Sequence, residues 1–83
     1  MAEIPSDFRF LGRLRDVEII ARGRGVRLRE ILKEQFGGRR WRKMKGVARV
    51  EANDGYIGDA EIHWYEAHGV GAVFWKIKRP LER

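Results

Sequence analysis

With 83 residues, 43% of them hydrophobic, the chain can build one small domain and no more. It has no cysteine and only two histidines, which excludes disulfides, thiolate metal sites and the usual zinc ligand set, and no cofactor is implied. No apolar run approaches membrane-spanning length and residues 1–6 do not form a signal peptide, so neither a membrane nor export is expected and the default setting is cytoplasmic.

The net charge of +6 is segregated along the chain. Residues 9–49 hold 14 Lys/Arg against 4 Asp/Glu, and residues 50–69 hold 5 acids with no Lys or Arg. A block of this kind points to a polyanion, with RNA the expected partner. Thirteen of the 18 basic residues are arginine, whose planar fork grips phosphate at two points, although the same usage suits heat tolerance.

Residues 1–7 read as a loose lead-in to one domain spanning 1–83. Phe8, Phe10 and Leu14 fit either a short strand or one amphipathic turn. Asp16–Arg22 alternates as a strand, with Val17, Ile19 and Ala21 on one side and Ile20 on the other. Arg22-Gly23-Arg24-Gly25 ends it; either these glycines bare backbone N–H groups to a phosphate held by Arg22 and Arg24, or they make only a tight strand-to-helix turn. Leu28, Ile31, Leu32 and Phe36 form a helical stripe over residues 26–36, and Gly37 stops it.

Residues 39–52 form the next strand, with a basic start and small apolar residues at even positions. Asn53-Asp54-Gly55 is the turn. A three-residue loop ending in Gly55 puts core residues opposite core residues, so that Met44 faces Trp64, Gly46 faces Ile62 and Ala48 faces Ala60; a two-residue loop would reverse the faces. Asp59–Glu66 alternates strictly, with Ala60, Ile62 and Trp64 on one side and Asp59, Glu61, His63 and Tyr65 on the other. A turn through His68-Gly69-Val70-Gly71 leads to a last strand, Ala72–Arg79, stopped by Pro80. The expected fold class is α+β: one main helix packed on an antiparallel sheet of three to four strands, in two layers. The helix stripe should cover Ile62, Trp64, Trp75 and Ile77, leaving the polar side of the sheet open.

On that open side three rows are expected: Lys43–Tyr65–Phe74, Lys45–His63–Lys76 and Val47–Glu61–Lys78, with Arg49 opposite Asp59. An imidazole between lysines, one step from a carboxylate, suits proton transfer beside a phosphate. The arrangement fits RNA cleavage without a metal. His63 or Glu61 takes the 2′-OH proton, and the other member of the pair or His68 supplies the acid. Lys45, Lys76, Lys78 and Arg49 hold the phosphate, and Tyr65 and Phe74 stack on a base. The same residues also read as ordinary cross-strand ion pairs on a solvated face.

The helix followed by a meander with a basic, His/Glu-bearing face resembles the bacterial ribonuclease-toxin superfamily of barnase, tRNA-cutting colicin domains and RelE/ParE-type toxins. That resemblance implies a metal-independent endoribonuclease checked by a cognate inhibitor protein. The runs 41–46 and 63–69 also resemble small bacterial proteins of no assigned activity. RNA binding without chemistry, or a protein-interaction subunit meeting its partner through the acidic 50–69 segment or a strand edge, is the alternative.

Overall fold

The computed structural model describes residues 5 and 7–81, so the expected lead-in over residues 1–7 falls mostly outside the described residues. The elements in order are β1 (Phe8–Phe10), β2 (Arg15–Arg22), a 3-10 turn (Gly23–Gly25), α1 (Arg29–Phe36), β3 (Arg39–Ala52), β4 (Ile57–His68) and β5 (Gly71–Pro80).

The β3–β4 hairpin is the frame. Gly55 takes φ 95°, its N–H donates to Ala52 O, and Asp54 Oδ1 accepts from Tyr56 N, which closes the three-residue loop. The register follows: Met44 opposes Trp64, Gly46 opposes Ile62 and Ala48 opposes Ala60. β5 lies on the far side of β4. On the other edge of β3, β1 pairs with its C-terminal part and β2 with its N-terminal part, all antiparallel.

The expected two-layer α+β arrangement is corrected. The structure is mostly antiparallel sheet, 62% strand in five strands, with a single short helix, and is closer to an all-β fold. A helix of two turns cannot cover a sheet this long, so the sheet covers itself. Strand β1 and strand β5 lie at opposite ends of the path β1-β3-β4-β5, yet the rings of Phe10 and Trp75 meet edge to face at 5.4 Å. Flat strands about 4.8 Å apart would hold them well beyond contact. The sheet therefore curls, and its even side encloses Phe8, Met44, Ala48, Val50, Ala60, Ile62 and Trp64. Trp64 and Trp75 stack within this core at 4.8 Å.

The helix packs on the opposite face from the one expected. Leu32 and Val26, with Phe36 and Leu28 beside them, bury Trp41, Ala67 and Val73, which share the face of His63. Complete burial of Leu32 stabilises by about 1.5–3 kcal/mol. Ile31, counted in the stripe, instead points to water at 49% exposure. Trp41 is a core residue; its indole N–H donates to Gly37 O at 3.0 Å.

Five bulges among the described residues explain why alternation does not carry through every strand. One extra residue enters β2 between Arg15 and Glu18 and another between Ile19 and Ala21. One enters β3 between Arg39 and Arg42, and β5 carries its extra residues beside Glu61 and His63 of β4. Among the described residues, the three non-glycine ones with positive φ, Asp16 (54°), Arg40 (58°) and Phe74 (57°), all stand at such irregularities.

Candidate nucleic-acid interface

Strand β4 places Glu61 and His63 two residues apart on one face, and the structure joins them: His63 Nε2 lies 2.6 Å from Glu61 Oε2. The other carboxylate oxygen accepts from Arg79 Nη2 at 2.8 Å. The hydrogen bond with His63 holds the Glu61 carboxyl below its ordinary value; partial burial opposes this, and the charges of Arg79, His63 and Lys45 assist. Glu61 is thus an orienting anion, and a poor proton acceptor for a substrate. Neither group is open as expected, with side chains 12% (His63) and 14% (Glu61) exposed.

The surrounding residues depart from the expected rows in specific ways. Lys45 opposes His63 on one side and Lys76 on the other, as the spacing indicated. Lys45 also lies 3.9 Å from Glu18 of β2. Lys78 does not face Glu61: it is the extra residue of a bulge, and Arg79 takes the position. Arg49 opposes Asp59 in register, but the Asp59 carboxylate binds Arg15, which reaches across β3 to 2.7 Å. Tyr65 opposes Val73 rather than Phe74, because the second β5 bulge shifts the strand. Phe74 is no open stacking platform; its ring stands edge-on against Phe36 at 5.4 Å and Tyr65 at 6.4 Å. Lys43 opposes Tyr65 and its ammonium sits 5.8 Å over that ring.

His68 is separated from this pair. It ends β4, five residues beyond His63, or roughly 17 Å along a strand. There it joins Arg22, Gly23, Arg40, Trp41 and Arg42 around a cleft of about 560 Å³. A second cleft of about 200 Å³ shares Gly23, Arg40 and Trp41 and adds Arg29, Lys33 and Arg39. Among the described residues no acid lines either cleft. Arg42 is tied to Glu66 at 2.7 Å, and Glu66 also accepts the Trp64 indole N–H at 2.9 Å, so Arg42 is braced against the core. Arg29 lies 3.4 Å from Glu30. Among the described residues Arg22, Lys33, Arg39 and Arg40 have no carboxylate within ion-pair distance. Arg24 is exposed on the 3-10 turn beside these clefts but lines neither.

Arg29, Lys33, Arg39, Arg40 and Arg42 were not singled out from the sequence. The signal was the basic start of β3, Arg39-Arg40-Trp41-Arg42. Its meaning depended on the bulge at Arg40, which lets adjacent arginines serve one site. Compared with known protein families, with curated proteins and with solved structures, the chain matches none.

Proposed function

We propose that the protein binds RNA, in the cytoplasm, through the basic end built by the 3-10 turn, the helix and the start of β3. The carrying observation is the pair of adjoining clefts that bring Arg22, Lys33, Arg39 and Arg40 together with no carboxylate among the described residues of their linings. Such uncompensated arginines repel one another unless an anion lies between them. Arg40 adds a backbone strained to φ 58° at the same place. The eight-residue helix is packed on the sheet and offers no element for reading a duplex major groove, which favours RNA over duplex DNA.

Binding of a labelled single-stranded RNA should weaken with salt. Four phosphate contacts give a slope of about −3 in log affinity against log salt concentration. Replacing Arg22 and Arg40 together by glutamine should make that slope shallower by about 1.4. A slope near zero, or one the double variant leaves unmoved, would remove this reading.

A second reading, cleavage of the bound RNA, is favoured by the 2.6 Å contact of His63 with Glu61. In it, His63 accepts the 2′-OH proton, Glu61 fixes the imidazole, and Lys45 and Lys76 stabilise charge on the phosphate. His68 is too distant to return the proton, so the leaving oxygen takes it from protonated His63 or from water. Incubation with tRNA and total RNA in EDTA checks it. Cleavage lost in His63→Ala is the expected result, and intact RNA with the parent protein would end it.

A further inference from the structure

Beside the 3-10 turn, on the face that carries His63, lies a cleft of about 450 Å³ lined by Ile20, Ala21, Leu28 and Tyr65 together with Lys43 and Arg27. Most of its lining is apolar, and its charged members are both cationic. Ile20 is 40% exposed there, because the β2 bulge expels it from the alternation. Tyr65 is fixed edge-on by Phe74, and the ammonium of Lys43 lies over its ring at 5.8 Å. Tyr65 packs against the helix-side core and also lines the cleft, so a flat group can take the place of the flexible ammonium when Lys43 swings aside.

We propose that this cleft receives one unpaired nucleobase of a single-stranded RNA, stacked on Tyr65 with Ile20 and Leu28 at its edge. The assignment rests on the RNA-binding reading and deepens it. The turn Gly23–Gly25 borders all the sites involved, since Gly23 lines both basic clefts and Gly25 lines this one. Phosphates on one side of the turn and a base on the other is the arrangement of a single strand laid across it. Lys43 and Arg27 meet the phosphates flanking that base. A base within a duplex is stacked on both faces and paired along its edge, so it cannot enter; the cleft therefore selects against duplex RNA.

The test uses the whole chain, a short oligoribonucleotide carrying a fluorescent purine analogue, and the duplex of the same sequence. The single strand should bind more tightly than the duplex and change the analogue's emission. Tyr65→Ala, and independently the uncharged change Ile20→Ser at an exposed position, should each weaken the single strand by about fivefold or more while leaving duplex binding unchanged. Equal affinity for the two forms, or unchanged single-strand affinity in both variants with native far-UV circular dichroism, would overturn the cleft while leaving RNA binding standing. Binding of neither form would overturn RNA binding itself, and the cleft with it.

Discussion

Glu61 shows how one side chain changes role with its neighbours. On the alternation alone it is a candidate base; held by His63 and Arg79 it is a fixed negative charge. Because its folded carboxyl lies below the ordinary value of 4.5, its contribution to stability is fully present above pH 4.5 and is lost as pH falls through the lower folded value. Glu61→Gln should therefore be less stable than the parent at neutral pH, with the difference closing below pH 4.5. Urea midpoints measured from neutral to acid pH check this; a difference that stays constant would contradict it. Arg49 and Lys78 carry the complementary lesson. Both were chosen by register, yet Arg15 reaches Asp59 and Arg79 reaches Glu61, because long side chains and bulges choose partners that opposition alone cannot.

Among the elements, the β3–β4 hairpin was legible from Arg42 to Glu51 and not at the bulge beyond Arg42. A three-residue loop with glycine at its positive-φ position fixed the pairing of Met44, Gly46 and Ala48 with Trp64, Ile62 and Ala60. The β4–β5 pairing was legible only at Ile62–Ile77 and His63–Lys76, since bulges on either side shift the rest. Nothing in the composition of Lys76-Ile77-Lys78 marks such an insertion. The bulge at Arg40 has a measurable use. A non-glycine residue in the left-handed region costs about 1–2 kcal/mol, and glycine there is relieved of that cost but loses about 0.5–1 kcal/mol through the unfolded chain. Arg40→Gly should accordingly be as stable as the parent or slightly more so, while binding RNA more weakly. Thermal unfolding and anisotropy titration read the two effects separately, and a less stable variant with full affinity would contradict the role given to this bulge.

At the scale of the whole molecule, the sequence concealed which side the helix would take. The even faces of β3 and β4 are the more continuous apolar surface, and a helix stripe pairs naturally with such a surface on paper. The structure instead closes that face with β1 and the stacked indoles of Trp64 and Trp75, and sends the helix to Trp41, Ala67 and Val73. Phe8, Phe10 and Leu14, whose spacing fits a strand and a turn equally, are the residues that make the difference. The candidate site moved with the helix: His63 and Glu61 became partly covered, and the charge gathered at the other end of the strands. Two cores on opposite faces of the same strands should still unfold as one unit. Leu32→Ala, which opens a cavity at a fully buried position, should cost about 2–5 kcal/mol. It should lower the urea midpoint equally by indole fluorescence and by circular dichroism. Separate midpoints would show that the helix and the curled sheet melt independently.

The two interruptions of β2 also govern how copies of this chain treat one another. A regular edge with Val17, Ile19 and Ile20 exposed would offer an unbroken row of unmet amides to a neighbour, the starting template for fibrils. Extra residues at two points put that row out of step with any straight partner, and the charges of Arg15, Asp16, Glu18 and Arg22 keep it hydrated. The irregularity that hid the fold from alternation thus works against edge-to-edge pairing between copies.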